Sequence, residues 1–211
     1  SLSIKQKAGD VAGEATILGN IGSIYLSMSQ YHKALEHHEQ SLLMKQKIGD
    51  VAGEASTLVN IGAVHGNLGQ HKKSFDYYKK SLAIVQEIGD VAEEAGILGR
   101  IGLVYSELGQ YQQALDLYEK ALRIEQKVGD AAGEARTLGR IGMIYNYLGQ
   151  YQKALVHCEK SLVMEQKIGD VLGEAMTLGN IENIYTNMGQ YQKALENLER
   201  CLTISQKIGN A

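Results

Sequence analysis

The chain has 211 residues, 21 Lys+Arg against 24 Asp+Glu for a formal net charge of -3, 44% hydrophobic residues, 24 glycines and no proline. That composition excludes a collagenous or proline-rich extended protein, supplies enough apolar residues for a packed core, and offers no basic field for gripping nucleic acid. No apolar run approaches the ~20 residues of a membrane span, no signal peptide opens the chain, and two cysteines without CxxC or zinc spacing argue against a disulfide-stapled domain; the expectation is a soluble, cytoplasmic protein in a reducing setting.

In chain order, residues 1–8 come first, and SLSIKQK (1–7) matches SLLMKQK (41–47), so they are expected to be the end of a preceding repeat's second helix. Gly-Asp then recurs at 9/10, 49/50, 89/90, 129/130 and 169/170, a period of 40 residues without insertion or deletion. Five frames follow, 9–48, 49–88, 89–128, 129–168 and 169–208, forming a single continuous domain, with 209–211 the start of a truncated next repeat and the whole expected to be cut from a longer array. The fourth and fifth frames are identical at 23 of 40 positions, which makes the repeat the organising fact of the fold.

Each frame carries two helical apolar patterns, in the first frame Leu18, Ile21, Tyr25, Met28 and then Leu35, His38, Leu42, Ile48. These are helix A and helix B. Glycine at 9, 49, 89, 129 and 169 suits a left-handed residue closing the preceding helix, and the following Asp can cap the next. A second break falls at Ser29-Gln30, Gly69-Gln70, Gly109-Gln110, Gly149-Gln150 and Gly189-Gln190, joining helix A to helix B. Glu14, Glu54, Glu94, Glu134 and Glu174 fall in the first turn of each helix A, where the helix dipole favours a carboxylate; no catalytic role is assigned to them.

The spacing Leu18, Ile21, Gly22, Tyr25, then Ser29-Gln30-Tyr31 and Ala34-Leu35, clearest in the fourth frame as Leu138, Ile141, Gly142, Tyr145, Gly149, Tyr151 and Ala154, resembles the tetratricopeptide repeat over essentially the whole chain. The common form has 34 residues and a proline near its end; this one is similar to the 40-residue long-helix variant of Pins/LGN-type and prokaryotic arrays. The resemblance implies an all-α, right-handed superhelical solenoid of five antiparallel helix pairs. His65, His71 and Ser74 depart from the motif in frame two, and Glu182 takes the close-packed glycine position of frame five, where a charge is expected to tilt out or weaken the helix contact.

No catalytic constellation is present. The six histidines are scattered with no HExxH, His37 and His38 point in different directions, the glycines form no phosphate loop after a strand, and Cys158 and Cys201 are expected to fill small core sites. No enzyme, cofactor or metal is expected.

The resemblance instead implies a concave groove lined by the A helices. Its polar ladder is Asn20, Asn60, Arg100, Arg140 and Asn180; asparagines here commonly hold a bound peptide's main chain in this family, and arginine suits a carboxylate or phosphate. Arg136 lies one turn before Arg140, and Leu103, Met143, Tyr147 and Asn183 are further inward candidates. An acidic protein or peptide segment with apolar anchors is the expected partner, with no nucleic acid and no membrane. The carboxylate clamp of chaperone-tail cochaperones is absent, since its positions read Gly19 and Ser23, Val59 and Ala63, Gly99 and Leu103. Gly19, Gly99, Gly139 and Gly179 either admit a ligand backbone or merely let helices pack. Two alternatives stand beside the peptide groove. One is a regulatory or sensor portion of a larger signalling protein or enzyme; the other is head-to-tail self-association through uncapped ends.

Overall fold

The computed structural model describes the backbone of residues 2–209 and the side chains of residues 11–206. Its described residues form ten helices and no strand: α1 (Leu2–Ser27), α2 (Tyr31–Ile48), α3 (Val51–Asn67), α4 (His71–Ile88), α5 (Val91–Glu107), α6 (Tyr111–Val128), α7 (Ala131–Tyr147), α8 (Tyr151–Ile168), α9 (Val171–Asn187) and α10 (Tyr191–Gly209). Odd helices are helix A of a repeat and even ones helix B. The chain divides into two compact units, Ser1–Val104 and Tyr105–Ala211, with the boundary inside α5. In the first, α1 packs on α2, α2 on α3 and α3 on α4; in the second, α6 packs on α7, α7 on α8, α8 on α9 and α9 on α10.

The turns follow from their residues. Gly49, Gly89, Gly129 and Gly169 are all left-handed, and after Gly49 the Asp50 N–H returns to the Lys45 carbonyl at 3.0 Å. Asp50, Asp90, Asp130 and Asp170 then cap the next helix, each accepting from the backbone N–H three residues on at 2.9–3.0 Å. At the A-to-B turns the left-handed residue is glycine except at Ser29, φ 57°. One predicted break is absent: α1 runs unbroken through Gly9-Asp10. Glycine permits a left-handed turn without requiring it, and the reversals at the later Gly-Asp pairs are held by a helix packed on each side.

Helices A and B of one repeat meet where helix A has no side chain. A Cβ on Gly22 would lie 2.8 Å from His38 Cε1, one on Gly62 would lie 2.7 Å from Tyr78 Cε1, and one on Gly142 would collide with Cys158 Sγ and come within 3.1 Å of the Ala154 carbonyl. A second tie recurs 26 residues apart: the Ser41, Ser81 and Ser161 hydroxyls and the Cys201 thiol donate to the carbonyls of Ala15, Ala55, Ala135 and Ala175. Helix B of one repeat is also clasped to helix A of the next, with the amides of Gln46, Gln86, Gln126 and Gln166 donating to Glu54, Glu94, Glu134 and Glu174 at 2.7–2.9 Å. The first-turn glutamates therefore join repeats as well as facing the dipole.

Beneath each clasp, one pair of positions changes chemistry from junction to junction. Lys45 Nζ donates to Thr57 at 2.9 Å, Val85 and Ile97 are both buried, and Thr137 and Thr177 each donate to a buried carboxyl, Glu125 and Glu165, at 3.0 Å. The second oxygen of each carboxyl has no hydrogen-bond partner. Burial pushes both carboxyls above the usual carboxylate range, against the lowering effect of the threonine hydrogen bonds.

Glu182 behaves as its position dictates. Where glycine would sit, it turns along its own helix to accept from the Thr186 hydroxyl at 2.9 Å, and Leu198, the residue that should face it, is 45% exposed. The counterparts His38, Tyr78, Tyr118 and Cys158 are buried.

Two measurements check this packing. Gly142→Ala should cost about 1–3 kcal/mol in denaturant melts because neither the thiol nor the carbonyl can yield. Gly179→Ala, which meets nothing within 4 Å, should gain about 0.5–1 kcal/mol from helix propensity. His38 supplies the other. Both its ring nitrogens are buried without a partner, and its pKa is lowered from 6.5 to about 4 by burial first and by Lys45 and His37 after it. The unfolded chain then takes up the proton before the folded one, so the contribution is whole above pH 6.5 and is lost as pH falls toward 4, by at most ~3 kcal/mol. His38→Tyr, the residue found at 78 and 118, should remove that acid loss in melts compared at neutral and mildly acidic pH.

Candidate functional site

From α3 onward, helix packing consumes most of each A helix and leaves chiefly one accessible line at i, i+4, i+7 and i+11; on α1 that line is accessible together with Ile17 and Ile24. In the first unit this line carries Thr16, Asn20, Ser23 and Ser27 on α1, Ser56, Asn60, Ala63 and Asn67 on α3, and Gly96, Arg100 and Leu103 on α5. The predicted residues Asn20, Asn60, Arg100 and Leu103 all fall on it.

In the second unit Arg136, Arg140, Met143 and Tyr147 make the line on α7, and Met176, Asn180, Asn183 and Asn187 the line on α9. These two helices pack against each other. The structure thus brings six predicted residues onto neighbouring A helices: two arginines and two apolar side chains on α7, and Asn180 and Asn183 on α9. Arg100 and Leu103 belong to the first unit.

The α7 face is held by aromatic contacts. Tyr147 stacks on Tyr111 with centroids 5.5 Å apart and planes 23° apart, while the Arg140 guanidinium lies 6.0 Å over the Tyr118 ring. Burial pushes the Tyr118 hydroxyl up to about 12, with Arg140 opposing the rise and Glu107 adding to it. Tyr118 therefore stays neutral beneath the guanidinium. Arg136 and Arg140 also lower the buried Glu125 carboxyl, a smaller effect than its burial.

Between α7 and α9 lies an asparagine network that the repeat pattern gave no reason to expect. Asn146 donates to Asn183 at 2.9 Å, and Asn187 donates to Asn146 at 3.1 Å and to Asn183 at 3.2 Å. Asn146 was missed because its counterparts are Leu26, Gly66, Ser106 and Thr186, so no periodic signal marks it. Asn183 has its carboxamide oxygen engaged twice, and the network sets its orientation before any ligand arrives. Met176, on the accessible line one turn before Asn180, was also missed; its counterparts Thr16, Ser56 and Gly96 are small and only Arg136 is large.

The ladder glycines resolve toward packing. Gly99 and Gly139 are buried, a Cβ on Gly139 would stand 3.3 Å from Ser161 Oγ of helix B, and one on Gly19 would stand 3.4 Å from Ser41 Oγ. Gly19 and Gly139 thus face a hydroxyl of helix B, whereas a Cβ on Gly179 would meet nothing within 4 Å.

The histidines take structural places. His37 stacks on Tyr25 and His65 on Tyr77, with the His65 Nδ1 2.8 Å from the Gln70 carboxamide oxygen. Cys158 is fully buried and its thiol is pushed up to about 12, chiefly by burial, so it is not a nucleophile at neutral pH. Among the described residues no group of three or more His, Cys, Asp or Glu could hold a metal ion, and no helix is long and apolar enough to cross a membrane.

The family model for the tetratricopeptide repeat matches residues 13–87, 53–127 and 133–207, and the chain belongs to that family. Among solved structures it is similar to BtubC (BKLC) from P. vanneervenii, with 19% identity and TM-score 0.78 over 98% of this chain and 91% of that one. It is also similar to a Rap protein complexed with competence and sporulation factor, with 17% identity and TM-score 0.83 over 92% of this chain and 54% of that one. A third likeness is to the Rap conjugation gene regulator of the plasmid pLS20 in complex with the Phr* peptide, with 17% identity and TM-score 0.82 over 97% of this chain and 57% of that one. The chain thus spans nearly the whole of BtubC and little more than half of each Rap chain. No curated protein matches the sequence. At these identities the likeness is one of fold.

Proposed function

We propose that the chain is a non-catalytic, cytoplasmic interaction scaffold whose A helices bind an acidic peptide segment, with the second unit supplying the principal contact. The carrying observation is the α7 line, where Arg136 and Arg140 are followed by Met143 and Tyr147 on one accessible face beside the asparagines of α9. Two guanidiniums one turn apart suit successive carboxylates, Met143 and Tyr147 suit an apolar anchor, and Asn180 and Asn183 offer donor and acceptor to main-chain amides. Tetratricopeptide-like repeat proteins commonly mediate protein and peptide binding, and two of the similar structures, both Rap proteins, hold competence and sporulation factor or the Phr* peptide. Asn20, Asn60, Arg100 and Leu103 would extend the same kind of contact along the first unit.

The test is fluorescence anisotropy with a labelled peptide of glutamates interspersed with leucine, against the same peptide carrying lysine for glutamate. The acidic peptide should bind, more weakly as salt rises, and Arg136→Glu with Arg140→Glu should weaken it more than about tenfold. Equal binding of the lysine peptide, or indifference to the double reversal, would overturn the assignment.

A further inference from the structure

Where the fourth repeat meets the fifth, three helices converge on one buried carboxyl. Glu165 on α8 is 4% exposed, and its Oε1 lies 3.0 Å from Thr177 Oγ1 of α9 and 3.0 Å from Ser161 Oγ of its own helix. Ser161 Oγ in turn stands 2.6 Å from the Ala135 carbonyl oxygen of α7. Glycines on both neighbours make the room: a Cβ on Gly173 of α9 would stand 3.2 Å from the Glu165 carboxyl carbon, and one on Gly139 of α7 would stand 3.3 Å from Ser161 Oγ. The other internal junctions lack this set. Lys45 and Val85 take the place of the glutamate in the first two, and beside Glu125 the serine is replaced by Ala121.

Counting hydrogens decides the state of the carboxyl. A serine hydroxyl has one hydrogen, and the short contact of Ser161 with Ala135 repeats those of Ser41 with Ala15 at 2.6 Å and Ser81 with Ala55 at 2.8 Å. With that hydrogen committed to α7, the one between Ser161 and Glu165 has to come from the carboxyl. We propose that Glu165 is a neutral carboxylic acid whose O–H donates to Ser161, tying α8 to α7 through the serine and to α9 through Thr177, and that its ionisation loosens α9 as pH rises. On ionisation the proton passes to water, and the carboxylate can keep Ser161 only by taking its hydrogen from Ala135. Burial is the largest influence on the carboxyl, and Asp170 and Glu174 at the start of α9 raise it further. On α7, Glu134 accepts from Gln126 and Arg136 is exposed; on α8 the buried Cys158 thiol is neutral, and Glu159, Lys160 and Lys167 are exposed. The unfolded chain gives up this proton near 4.5, before the folded one, so the contribution is whole below 4.5 and is lost as pH rises through the raised value, opposite in direction to His38. The latch uses neither arginine of the peptide face and stands or falls apart from that reading.

The experiment titrates the 211-residue chain, isotope-labelled at its glutamate carboxyls and followed by carbon NMR, with the Glu165 signal assigned through the backbone. Its midpoint should lie above 4.5, and Ser161→Ala, which recreates the surroundings of Glu125, should move it down by about 0.5–1 in pH, the worth of one hydrogen bond to the acid. A midpoint at or below 4.5 would overturn the proposal. So would a midpoint that stays or moves up in Ser161→Ala, since a serine that donates to a carboxylate would have held it down. Hydrogen exchange reads the latch itself. Between pH about 5 and about 8, protection of the α9 amides should fall about tenfold further in the parent chain than in Glu165→Gln. The glutamine amide can donate at every pH, as Lys45 donates to Thr57. Glu125 and His38 are present in both chains, so the difference belongs to position 165. Equal falls in the two chains would show that α9 is not held by this proton and would end the proposal.

Discussion

A missing Cβ sets the distance at which the two helices of a repeat can lie. At Gly22, Gly62 and Gly142 the backbone of helix A is covered by a large or polarisable side chain of helix B, and any side chain there would occupy the same space. That approach lets the hydroxyls of Ser41, Ser81 and Ser161 reach carbonyls of the facing helix. In frame five Glu182 replaces the glycine, turns back along its own helix and leaves Leu198 half exposed, although the Cys201 thiol still reaches the Ala175 carbonyl.

With the pair spaced in this way, each junction between repeats has one exposed lock and one buried pair. The lock is constant, a glutamine to a first-turn glutamate, and costs little because both groups sit at the surface. The buried pair varies between cation with hydroxyl, two aliphatics, and hydroxyl with carboxyl. Val85 and Ile97 need no partner, whereas Glu125 and Glu165 each have one oxygen without a hydrogen bond in a buried site that favours the protonated form. The chain thus carries hydrogen-bonded and purely aliphatic pairs at equivalent places.

Function is confined by subtraction. Helix A gives one side to its own helix B, another to the preceding helix B and a third to neighbouring A helices, so the residues at i, i+4, i+7 and i+11 are what remains for a ligand. On α7 that remainder is arginine, arginine, methionine and tyrosine, and on α9 methionine and three asparagines, two of them held by Asn146. Similar solved structures share this fold at under one-fifth identity.

The period of 40, the Gly-Asp caps, the helix A and helix B patterns and the close glycines were all legible in the sequence, because each is a local or periodic demand that one chain repeats several times, and the misfit of Glu182 was legible as a departure from that period. The accessible line was legible to the same extent, as helical spacing alone places Arg136 with Arg140. Tertiary structure decided what periodicity cannot carry. Gly9-Asp10 lies inside a helix although its copies end one, since a glycine permits a reversal that only packing on both sides enforces. Gly139 faces helix B, the first-turn glutamates bind glutamines eight residues before them, and Asn146 joins Asn183 and Asn187 from a position that holds no asparagine in any other frame. Each of these depends on which faces of different helices meet, a relation between distant residues that no pattern within one helix records.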